Sequence, residues 1–149
     1  MKPFTFRLAT LARLREAERD ARRQELLAAM AHQTRLLEGL DRLHSEFGDC
    51  HNRNRQTRSG STLTPAQLVA QERFLSSLEA QRRELDAQLA SAAEQIEFCR
   101  RRLAEAECKV QALDRLRQRR FEQHQLQMAR RATSELDEVA ARRHLLRAG

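Results

Sequence analysis

At 149 residues, with a formal charge of +7, 33% charged residues, 4% aromatics, no Trp or Tyr and a mean hydropathy of -0.75, the chain cannot fill an ordinary globular core. Only 4 Gly and 2 Pro occur among abundant Ala, Leu, Glu, Gln and Arg, the composition of long helices. Counted by segment, the charge is +2 over residues 1–47, +1 over 48–113 and +4 over 114–149, so the basic excess gathers at the end and points to an acidic partner. Disorder is the competing reading, and the regular apolar spacing described next argues against it.

In chain order, a first helix is expected from about residue 5 to 57. It carries Leu8, Leu11, Leu14, Ala17 and Ala21, and then a heptad-spaced set of Leu26, Met30, Gln33, Leu37, Leu40, His44 and Phe47. Between the two sets the register drifts through Glu18, Arg22 and Glu25, as a stutter does. Residues 48–63 are polar, and the turn is placed at about 58–63 around Ser59, Gly60 and Ser61, since Gly48 alone can be tolerated inside a helix at about 1 kcal/mol.

The second helix, about 65–143, has a full start signal. Thr64 is the N-cap, Pro65 the first helical residue, Gln67 the capping-box partner, and Leu63 is placed to staple against Leu68. From Leu75 onward, Leu78, Leu85, Leu89, Ala92, Ile96, Cys99, Leu103, Ala106, Val110 and Leu113 recur at steps of three and four with only Arg82 out of register. A stripe that narrow is a coiled-coil seam and must face another helix. The two stripes are of nearly equal length. The expected fold is therefore all-α, a long antiparallel two-helix coiled-coil hairpin with the second helix the longer, forming a single coiled-coil domain over 1–149. The pairing sets Phe47 near Leu75 and Leu8 near Leu113, which leaves residues beyond Leu113 without an intramolecular partner: either a solvated tail or an arm that docks on another protein.

Chemistry is scarce. No phosphate loop or nucleophile-base arrangement is present, and a two-helix rod offers no concave site, so no catalytic residue and no enzyme activity is expected. Cys50, Cys99 and Cys108 lack disulfide or zinc spacing, and Cys99 reads as a small seam hydrophobe. His44, Cys50 and His51 lack a fourth ligand, so neither a metal nor a cofactor is expected. The runs Arg100–Arg102 and Arg115–Arg120 suggest nucleic acid, but interspersed glutamates and the shortage of aromatics favour a solvated face. No signal peptide or membrane span is discernible, so a cytosolic product is expected.

The opening Phe4-x-Phe6-x-Leu8-x-x-Leu11-x-x-Leu14-Arg15-x-x-Glu18, then Ser59-Gly60 before a new helix, Phe74-Leu75-x-x-Leu78-Glu79, and Glu135-Leu136-Asp137-Glu138-x-Ala140 resemble the flagellar export protein FliJ family in order and spacing. The resemblance implies a non-enzymatic component of the flagellar type III export apparatus, cytoplasmic and peripheral to the inner membrane at the flagellar base. Its implied partners are a hexameric export ATPase, an export-gate membrane protein and export chaperones, with no small-molecule substrate and no nucleic acid. Arg7, Arg13, Arg15, Arg142 and Arg143 are the candidate ATPase-binding residues. Leu40, Leu43, Phe47, Phe74 and Leu78 match the family's gate-docking positions, with Phe74, just off the seam, the strongest of the five. Two alternatives stand beside this reading: a basic coiled-coil nucleic-acid-binding protein, and a homodimeric scaffold.

Overall fold

A computed structural model describes residues 3–60 and 64–148. The fold is all-α and consists of α1 (Ala9–Gly60) and the longer α2 (Pro65–Ala148). The turn residues 61–63, and with them the staple of Leu63 on Leu68, lie outside the described residues.

The start of α2 follows its capping box. Thr64 N–H donates to Gln67 Oε1 at 3.0 Å and Gln67 N–H donates back to Thr64 Oγ1 at 3.3 Å, so two of the amides left without helical acceptors are satisfied. α1 begins four residues later than expected, at Ala9 rather than Thr5. Residues 3–6 stay non-helical, and the first turn closes with Ala9 N–H donating to Phe6 O at 3.1 Å. The reason is tertiary: Phe4 packs edge-on against Phe121 of α2, with ring centroids 5.4 Å apart at 71°, and lies 5.7 Å from the His124 ring.

The helices divide between two compact units, one comprising the chain up to Asp20 together with Ala104 onward, the other Ala21–Leu103. In the second unit, the later part of α1 runs antiparallel to the first part of α2. Its core is Leu36, Leu43 and Cys50 from α1 against Leu78, Ala92, Ile96 and Cys99 from α2, all buried. The α2 seam takes the expected frame, with Leu75, Leu85, Leu89 and Leu103 half-buried between these positions.

The α1 seam does not take the expected frame throughout. Leu26, Gln33, Leu40 and Phe47 face inward as expected, but Ala29, Leu36, Leu43 and Cys50 fill the alternate positions, leaving Met30, Leu37 and His44 exposed. The doublets Leu26-Leu27, Ala29-Met30 and Leu36-Leu37 fit either frame. The deciding layers are Leu43 over His44 and Cys50 over His51, where one frame buries an apolar side chain and the other an imidazole. This frame also moves the pairing by about one turn: a Cβ on Gly39 would sit 3.7 Å from Leu85 Cδ2, so Leu75 is opposite a residue near Cys50 instead of Phe47.

In the first unit the seam is Leu8 and Leu11, then the polar Arg15 and Glu18, against Ala106, Val110, Leu113 and Leu116, while Leu14 and Ala17 point outward, as does Ala21 at the start of the second unit. Inward-facing positions at 15, 18, 22 and 26 step by three, four and four, the spacing of the expected stutter. The partner of α2 does not run out at Leu113. The segment before α1 extends the cover, and His124 and Met128 are still half-buried; from 129 to 143 every residue is exposed.

Candidate docking surfaces

Among the ATPase-binding candidates, Arg7 and Arg13 are exposed, and Arg13 lines a cleft with Phe4, Phe6, Ala9, Ala12, Glu16 and Arg117. Arg15 is committed inside the chain. It donates to Glu18 Oε2 at 2.7 Å, and Lys109 Nζ lies 3.5 Å from Glu18 Oε1. The Arg15 hydrogen bond, seconded by the nearby Lys109 charge, holds the Glu18 carboxyl below its ordinary range.

Arg142 and Arg143 belong to the exposed stretch 129–143, roughly 38 Å along α2 from Arg117 at 1.5 Å per residue. Arg13 and Arg117 are therefore brought together, whereas the C-terminal pair stands well beyond them. This stretch keeps its helical form through local contacts, with Thr133 Oγ1 donating to Ala129 O at 3.1 Å and Arg142 3.9 Å from Glu138. It bears Leu136 and Val139, 69% and 47% exposed, between Arg130-Arg131 and Arg142-Arg143. Leu126, Ala129, Thr133, Leu136 and Ala140 step by three and four along it, so the helix presents a small apolar stripe that is exposed among the described residues.

The gate-docking candidates divide by burial. Leu43 and Leu78 are 6% and 1% exposed and pack in the helix-helix seam, Leu40 and Phe47 are half-buried at its edge, and Phe74 is 49% exposed. Leu78 has the most fully enclosed side chain of the core, so its apolar surface is spent on holding α1 to α2. Cys50 likewise packs in the seam while His44 and His51 face solvent, which separates the three residues that sequence proximity had grouped.

Sequence reasoning missed the aromatic contact of Phe4 with Phe121 and His124. The signal available for it was the pair Phe4 and Phe6 ahead of the helix, since large aromatics seldom precede a solvated helix start without something to pack on. Among the described residues no helix is long and apolar enough to cross a membrane.

The family model described as Flagellar FliJ protein matches residues 4–149, and the chain belongs to that family, a non-enzymatic component of flagellar protein export. No curated protein and no solved structure matches the chain.

Proposed function

We propose that this FliJ-family chain works as a stalk-like coiled coil in the export apparatus, binding the hexameric export ATPase through its C-terminal arm and coupling that ring to the export gate. The observation carrying the reading is the stretch 129–143, helical yet wholly exposed, in which an apolar stripe is bracketed by arginine pairs. A helix of that kind gains burial only from another molecule, and its cations favour an acidic lining. Arg7 and Arg13 add exposed positive charge in the same unit, while Arg15 serves the ion pair with Glu18.

The gate contact centres on Phe74, with the half-buried Leu40 and Phe47 offering smaller exposed edges, while Leu43 and Leu78 act by fixing the helix pair. Escort of export chaperones belongs to the same reading, as does residence in the cytoplasm at the inner membrane beneath the flagellum. No residue is assigned to the escort role.

The test is co-purification with the hexameric export ATPase and measurement of its stimulated hydrolysis. Arg142→Glu with Arg143→Glu is expected to weaken binding about tenfold, equivalent to roughly 1.4 kcal/mol. Unchanged binding and stimulation would remove the arm from the reading. Phe74→Glu is expected to leave ATPase binding intact and to abolish capture by the export-gate protein.

A further inference from the structure

Packing differs sharply between the two units. In Ala21–Leu103 the helix pair encloses Leu36, Leu43 and Cys50 against Leu78, Ala92, Ile96 and Cys99. In the other unit, among the described residues, only Ala106 and Val110 of α2 are buried, and in the segment 3–20 Leu8, Leu11, Arg15 and Glu18 reach no further than half-burial. The apolar seam of α1 is also broken at this point. Between Leu11 and Leu26 its inward positions are Arg15, Glu18 and Arg22, so no large apolar side chain ties the start of α1 into the core that follows. Buried apolar contacts make neighbouring turns open together, and a gap in them lets a segment open alone.

Segment 3–20 is fastened instead at its two ends. At one end, Phe4 meets the Phe121 ring edge-on at 5.4 Å and lies 5.7 Å from the His124 ring. At the other, Glu18, held by Arg15 at 2.7 Å, lies 3.5 Å from Lys109 Nζ across the helix pair. Lys109 and Phe121 are about 18 Å apart along α2 at 1.5 Å per residue, and Leu8 and Leu11 are the apolar seam residues between these fasteners. Neither fastener is strong. One is an ion pair in partial contact with solvent, and the other is a single aromatic contact from a non-helical stretch.

We infer that residues 3–20 form a clasp on α2 that opens as one piece while Ala21–Leu103 stays folded, with Phe4 and Glu18 as its fasteners. Closed, it covers the α2 face of Ala106, Val110 and Leu113; open, it bares that face to solvent. The clasp therefore governs when this part of α2 can be reached.

The buried cysteines supply an internal reference for the test. Val110 and Cys50 are each 8% exposed, so a thiol placed by Val110→Cys starts as well enclosed as Cys50, and Cys108→Ser removes the exposed thiol. The probe is a neutral maleimide in excess over the full chain, with each labelling rate divided by its rate in urea. Labelling at Val110→Cys is expected to be at least about tenfold faster than at Cys50 or Cys99. Adding either Phe4→Ala or Glu18→Gln should speed it several-fold further and leave Cys50 and Cys99 unmoved, although the two substitutions lie at opposite ends of the segment. Amide exchange in the unsubstituted chain checks that Val110→Cys has not itself loosened the clasp. There, Arg13–Asp20 should share one opening free energy, lower than that of Leu36–Cys50. Equal labelling at Val110→Cys and Cys50, acceleration at all three thiols together, or protection that rises residue by residue from Arg13 to Asp20 as in simple fraying would each overturn the inference.

Discussion

Residues 85–99 and 129–143 lie on the same helix, are of equal length and are both rich in Ala, Glu and Gln or Arg, yet one turns a third of its residues into the helix-helix seam and the other is entirely surface. The difference is the frame. In the first, Leu85, Leu89, Ala92, Ile96 and Cys99 keep one seam pointed at α1; past Leu113 the same frame yields Arg117, Arg120, His124, Gln127 and Arg131, and beyond Met128 every residue up to 143 is exposed. Helix formation survives this change because propensity and local contacts suffice to continue an already nucleated helix, whereas burial requires a second surface. The covered stretch thus gives the molecule its structure, and the uncovered stretch gives it something to offer.

Substitutions can break this contrast. Leu78→Ala, at a side chain 1% exposed, should cost about 2–5 kcal/mol in urea unfolding, while Leu136→Ala, 69% exposed, should stay within about 0.5 kcal/mol. Similar losses at both sites would mean that the arm is covered in the free protein. Phe4→Ala comes next, at about 1–2 kcal/mol from lost burial and the aromatic pair, with faster amide exchange concentrated at Leu116–Met128.

How much of this could be read beforehand depended on whether one pattern or two fitted the residues. The α2 seam was legible because Leu75 to Leu113 supports a single frame, and the cap was legible because Thr64, Pro65 and Gln67 act within one turn. The α1 seam was not, since its doublets satisfy two frames until Leu43 and Cys50 choose between them. The late start of α1 was hidden for another reason: the ring that holds Phe4 belongs to Phe121, 117 residues away, and no local rule connects them. Of the docking candidates, sequence matching picked out Phe74 but could not separate it from the enclosed Leu43 and Leu78, because burial depends on which neighbour the seam selects.

Smaller effects sharpen the picture of the covered regions. Thr64→Ala should cost about 1 kcal/mol and fray only the first turn of α2, which exchange over residues 65–68 would report. The smallest expected effect is at Glu18. Its depressed pKa means that the ion pairs with Arg15 and Lys109 stabilise the fold above the ordinary glutamate range, and that this contribution is lost as pH falls through the lowered folded-state value. Glu18→Gln should therefore reduce stability slightly at neutral pH and shallow the acid limb of the stability profile. An identical acid limb in the variant would show that the pair contributes nothing.

The most direct test of the central claim is hydrogen-deuterium exchange across residues 129–143, with and without the hexameric export ATPase. Rapid exchange in the free chain, slowed on addition of the ring while residues 85–99 remain unchanged, is the predicted result. Strong protection of 129–143 in the free chain, or no slowing when the ring is bound, would contradict it.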